Sequence, residues 1–213
     1  MKKLTSILTA VIAVIVLTVS VQKSFAADNL QVTDLTNVKN ITSIKVSGNV
    51  EVQLSQATSE NVLVYNQYYS ENALVQVQNG ELRISSFGAE KLKVLVDVKM
   101  LNHIEASGNA VISTLNQLTA PNLSVSLEDS AVAVINTSAA AVKSFTEDSA
   151  SLTLSGTAKI HSMQISETGK TDTTHFRADS DTVKISGDGQ AVTNVQGKTV
   201  ILKAPEDILS VQL

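Results

Sequence analysis

Residues 126–135 read SLEDSAVAVI and residues 145–154 read FTEDSASLTL, so the same Glu-Asp-Ser-Ala precedes an alternating apolar run twice, nineteen positions apart. Three further stretches share that layout. HIEASGNAVIST (103–114), NLSVSLEDSAVAVI (122–135), AVKSFTEDSASLTL (141–154), SMQISETGKTDTTHF (162–176) and TVKISGDGQAVTNV (182–195) align as blocks of strand, small polar turn and second strand. Their leading apolar residues, Ile104, Leu123, Val142, Met163 and Val183, stand 19, 19, 21 and 20 positions apart. Self-similarity near twenty residues marks a solenoid, whose units bury their apolar faces only against neighbours.

Leucine-rich repeats have this period, but their Leu-rich consensus and Asn position are absent. A parallel β-helix with coils of about 20 residues is therefore expected, equivalent residues stacking at the strand spacing of roughly 4.8 Å. The turn column then reads SGN, EDS, EDS, ETG and GDG. These are residues that suit turns and positive φ.

Period-two alternation extends toward the N-terminus. In Lys91–Met100, Leu92, Val94, Val96, Val98 and Met100 are expected on one face and Lys91, Lys93, Asp97 and Lys99 on the other. Asn79-Gly80 between two alternating runs predicts a hairpin. Ile44–Asn49 (IKVSGN) matches Ile104–Asn109 (IEASGN) at a distance of 60, read as about three coils. Because the hairpin and the long strand intervene, residues 30–100 are expected to form a β entry layer capping repeat coils at 100–200. Such a cap covers the unpaired strand edges of a solenoid end. At the other end Pro205 precedes ILSVQL, a candidate last edge strand.

Lys2 and Lys3, the apolar run Ile7–Val21, and Ser24 and Ala26 make the three regions of a secretory signal peptide at 1–26. The remainder, 27–213, reads as a single domain with no membrane span after cleavage. Losing Lys2, Lys3 and Lys23 with the leader takes the net charge from −4 to −7. Nucleic acid is thereby disfavoured as a partner. The chain has no Cys, which excludes disulfides, a thiol nucleophile and cysteine-ligated zinc.

Six acidic turn residues, Glu128, Asp129, Glu147, Asp148, Glu167 and Asp188, form the strongest candidate for chemistry if they stack. Two carboxylates about 5 Å apart suit a retaining glycosidase, and convergent oxygens suit a divalent cation. Against both stands the plain reading that exposed turns tolerate acidic residues. Tyr65, Tyr68 and Tyr69 are the only aromatic cluster and a candidate platform for sugar rings. His103, His161 and His175 are too scattered for a metal triad and read as surface or turn histidines. No G-x-S-x-G elbow marks a serine hydrolase. No residue is assigned a catalytic, metal-binding or cofactor-binding role, and no cofactor is expected.

The leader, IKVSGNVEVQLSQ (44–56), NGELRI (79–84), the strand ending in MLNHIEASGNAVI (100–112) and the short turn repeats together resemble the head GIN domain of auto-transporter adhesins. The resemblance covers roughly residues 35–200. It implies an exported, right-handed parallel β-helical domain with an adhesin-like role and brings no catalytic residues. The chain departs from the family pattern where Glu128-Asp129-Ser130 and Glu147-Asp148-Ser149 replace a glycine-rich turn. An exported binding or surface-structural module is the function expected, with a glycan or surface protein as partner and self-association open. The alternatives are a carbohydrate-active enzyme using the acidic column and a divalent-dependent scaffold. The exported protein is expected to begin at Ala27, and amino-terminal sequencing checks it; retention of Met1 would make the leader an anchor.

Overall fold

The computed structural model describes residues 32–35, 38–65, 73–195, 198–203 and 209–212. The expected leader lies outside them. Sixteen strands form one open, curled sheet, and the described residues contain no helix. In chain order these are β1 (Val32–Asp34), β2 (Ser43–Gly48), β3 (Val50–Gln56), β4 (Asn61–Tyr65), β5 (Ala73–Gln78), β6 (Glu81–Ser86), β7 (Leu92–Val98) and β8 (His103–Ser107). Then follow β9 (Val111–Thr114), β10 (Leu118–Leu127), β11 (Val132–Thr146), β12 (Ser151–Ile165), β13 (Lys170–Ile185), β14 (Gln190–Val195), β15 (Lys198–Lys203) and β16 (Leu209–Gln212).

Strands β10 to β13 pair in parallel, each stacked on the next: Leu123 faces Val142 and Val132 faces Ser151. The offset is 19 until β13, where it grows from Thr153 facing Asp172 to Ser155 facing His175. One residue is inserted there.

The layout of strand, small polar turn and second strand holds at each block, but the second strand of one block runs on into the first of the next, so that each long strand is continuous between turns. The long strand bends. In β11 the buried positions are Ala133, Ile135 and Thr137, then Val142, Ser144 and Thr146, so their parity changes near Ala140. Pairing skips Ala140 at the same place, passing from Ala139–Ala158 to Ala141–Ile160. Since successive side chains point to opposite faces, the parity change lets two limbs of one strand face a common interior. In β10 the change falls at Pro121, which has no N–H to donate.

The N-terminal strands extend this stack rather than forming a separate entry layer. Strand β2 pairs in parallel with both β6 and β8, and β3 pairs in parallel with both β7 and β9. The β2–β3 layer therefore lies between β6–β7 and β8–β9. Ile44 faces Ile104 directly, so the matching segments 60 residues apart are immediate neighbours and not three coils apart. Their shared Ser-Gly has a steric cause. A Cβ on Gly108 would lie 2.9 Å from the Gly48 nitrogen and 3.0 Å from its Cα, and Gly48 itself has φ +83°. Glycine stacks on glycine because a side chain would collide with the next backbone.

Only the outermost strands run antiparallel. At one end β4 pairs with β7, β1 with β4, and β5 with β6; at the other β15 pairs with β14 and β16 with β13. The cap is thus narrower than residues 30–100. The hairpin at Asn79 (φ 53°) and Gly80 (φ 81°) and the last edge strand β16 are as expected.

Val, Ile, Leu and Ala from both limbs form the main core, from Ile41 to Ala158. Met100 falls beyond β7 and is 45% exposed, not inward. Met163, Ile165, Val183, Ile185 and Ala191 form a second, smaller cluster. Hydroxyls and a histidine adjoin it: Thr146 and Thr171 are buried with their oxygens 3.0 Å apart, and His161 is fully buried.

Candidate functional site

The repeated Glu-Asp-Ser-Ala has a backbone explanation. Glu128 C=O accepts the Ala131 N–H and Glu147 C=O accepts the Ala150 N–H, each closing a tight turn. The second turn residue is left-handed in successive layers: Gly108 (φ 70°), Asp129 (59°), Asp148 (53°), Glu167 (54°) and Gly187 (63°). Asp is among the few side chains that tolerate this region. It also adds a bond that glycine cannot. The Asp129 Oδ2 accepts the Gly108 N–H at 2.9 Å, and the Asp148 Oδ2 accepts the Asp129 N–H at 3.0 Å. Each aspartate thereby ties its turn to the layer before it. The last turn residue is interior, with Ala131 and Ala150 fully buried.

The six carboxylates do not make one column. Glu128 and Glu147 each follow a paired position, Leu127 facing Thr146, and so share one row; Asp129, Asp148 and Glu167 share the left-handed row; Asp188 follows left-handed Gly187 and belongs to a third. All stand on outward turns. Two aspartates are committed to backbone N–H groups, and among the described residues no group of three His, Cys, Asp or Glu side chains converges on a cation position.

His161, expected at the surface or in a turn, lies inside the fold instead, fully buried on β12. The Ser144 Oγ is 3.0 Å from its Nε2, and Asp181 Oδ1 is 3.1 Å from its Nδ1, on three successive strands. The Asp181 approach lacks hydrogen-bond alignment, leaving Nδ1 without a hydrogen bond. Phe176 packs its ring edgewise at 5.1 Å. Although the order is that of a catalytic triad, Ser144 is only 3% exposed and faces the interior, where a substrate has no access. His103 and His175 are on strands β8 and β13, with His103 Nε2 3.7 Å from Glu105.

Of the three tyrosines, Tyr65 ends β4 opposite Lys93, while Tyr68 and Tyr69 lie outside the described residues. Tyr65 lines a groove of about 280 Å³ with Glu51, Gln53, Glu90, Lys91, Lys93, Val94 and Leu95. Glu51 and Gln53 come from β3, Lys93 and Leu95 from β7, and Tyr65 from the capping strand. An aromatic ring, two carboxylates, two ammonium groups and an amide thus share one outward-facing groove, a donor and acceptor set suited to a polyhydroxylated ligand.

The family model described as "Putative auto-transporter adhesin, head GIN domain" matches residues 40–202. A "putative adhesin" structure from Parabacteroides distasonis is 21% identical at TM-score 0.60, covering 78% of this chain and 82% of that one. One from Bacteroides fragilis is 21% identical at TM-score 0.61, covering 78% of each chain. A third, from P. distasonis and titled "Putative lipid binding protein", is 12% identical at TM-score 0.59, covering 78% of this chain and 74% of that one. At these identities the likeness shows a shared fold, and a fold does not fix a ligand. No curated protein matches the chain.

The turn geometry sets an order among variants at Asp148. Asp148→Ala loses the inter-layer bond and keeps a Cβ at positive φ, so urea unfolding should show a loss of about 2 kcal/mol. Asp148→Gly loses only the bond, and about 1 kcal/mol is expected. No loss in either variant would contradict the role given to the carboxylate.

Proposed function

Because the chain belongs to the auto-transporter adhesin head GIN-domain family, we propose that it is an exported, non-enzymatic, adhesin-like binding module that contacts glycans through the groove at Tyr65. The observation that carries this reading is the groove's composition, an aromatic ring beside Glu51, Gln53, Glu90, Lys91 and Lys93. Tyr65 is half-buried, and tyrosines among polar groups are enriched at binding surfaces. The leader at 1–26 supports export to the periplasm or cell surface.

In the same reading the stack winds as a right-handed β-helix. Parallel pairing at a 19-residue offset and one core shared by both limbs support this. Parallel connections within one sheet are overwhelmingly right-handed. Two of the turn acids, Asp129 and Asp148, are committed to backbone N–H groups of the preceding layer, which favours binding over the glycosidase alternative. A glycan array probed with the exported protein, with and without calcium, tests the reading. Calcium-independent binding is expected, and Tyr65→Ala should weaken it by up to about tenfold, the value of one aromatic contact. No retained glycan, or equal retention by Tyr65→Ala, contradicts it; binding only with calcium would favour the divalent scaffold.

A further inference from the structure

A second groove lies on the other limb. Lys45 on β2 sits directly opposite Arg83 on β6, and two residues farther along the same face Ser47 sits opposite Ser85. Ser85 in turn faces Leu74 of β5, which is 47% exposed. These residues, with Glu81 and Ile84, line a groove of about 270 Å³.

Two cations side by side across a strand pair repel, and the chain as a whole is acidic. Their carboxylates explain how the pair persists. Lys45 Nζ bonds Glu105 Oε1 at 2.5 Å, and Arg83 Nε bonds Glu81 Oε1. The Glu105 hydrogen bond raises the Lys45 pKa, and the Arg83 hydrogen bond lowers that of Glu81. Arg83 spends only its Nε on Glu81, and among the described residues its terminal guanidinium nitrogens make no bond. That leaves a planar pair of donors beside an ammonium, the geometry that receives a carboxylate in two-pronged fashion. Ser47 and Ser85 line the same groove with hydroxyls, and Leu74 offers an apolar edge.

We propose that this groove binds an acidic sugar residue, its carboxylate on Arg83 and Lys45, its hydroxyls on Ser47 and Ser85, and its ring edge against Leu74. The inference rests on the glycan-binding reading and names a ligand class for a second contact. Because Glu81 and Glu105 cancel the local charge, binding derives from the guanidinium fork more than from a field. A millimolar Kd for one sugar residue is expected.

The test is an amide chemical-shift titration of the exported protein with glucuronate, with glucose, acetate and inorganic phosphate as parallel arms. Glucuronate should move the resonances of Lys45, Ser47, Arg83 and Ser85, and the other three should not match it. Arg83→Gln should abolish the shifts, and Arg83→Lys should weaken binding about tenfold by removing the fork; the spectrum itself reports that each variant is folded. Tyr65→Ala should leave the titration unchanged, so failure here and failure at the Tyr65 groove are read separately. Glucuronate silent at these residues, the same shifts with glucose, acetate or phosphate, or wild-type titration by Arg83→Gln would each overturn the proposal.

Discussion

Parallel backbone pairing between layers is the constraint on which everything else depends. Once Leu123 faces Val142 and Val132 faces Ser151, every position in one layer lies a strand spacing from its equivalent in the next. Each column must then hold residues that tolerate their own kind as neighbours. Apolar columns fill the interior, and glycine stacks on glycine at 48 and 108, where a Cβ would strike backbone. Aspartate enters the left-handed column as a substitute that bonds back to the preceding layer. The repeated Glu-Asp-Ser-Ala is a consequence of stacking before it is anything else.

Function falls to what the stack leaves over. Inward positions are spent on the core, and the turn aspartates at 129 and 148 on backbone N–H groups, so the side chains free to recognise a partner are those facing outward on the limbs. There, neighbouring layers place residues distant in sequence side by side. Glu51, Lys93 and Tyr65 meet on one limb, while Lys45 and Arg83 meet on the other. Both grooves lie where the N-terminal layers stack out of chain order. Chemical variety is greatest there because these layers are not copies of one block.

Alternation and turn chemistry made the strand content, the hairpin at Asn79-Gly80 and the acidic turns legible in the sequence. Alignment of the blocks was legible only to within two residues. Shifting a strand by two leaves every side chain on its own face, so the apolar pattern accepted Ile104 over Leu123 where the structure pairs Ile104 with Val125. The same slip set Val142 against Met163, whereas Val142 faces His161 and Ser144 faces Met163. It hid His161, which occupies an apolar column and so read as a surface residue. The layer order was hidden for a different reason. Similar segments 60 residues apart reveal that two layers resemble each other, but not that β6 and β7, between them in sequence, build a layer on the far side. The Tyr65 and Arg83 grooves depend on that order, and from sequence only the tyrosines signalled either.

The absence of cysteine from the chain makes the layer order directly measurable by paired substitution. Ser47 and Ser107 face each other across β2 and β8, while Ser85 and Ser107 are separated by β2. A disulfide spans Cα atoms about 4.4–6.8 Å apart, one strand spacing but not two. Under mild oxidation, Ser47→Cys with Ser107→Cys should form an intramolecular bridge, and Ser85→Cys with Ser107→Cys should stay reduced. A bridge in the second pair and none in the first would mean that layers stack in chain order, and would contradict the account.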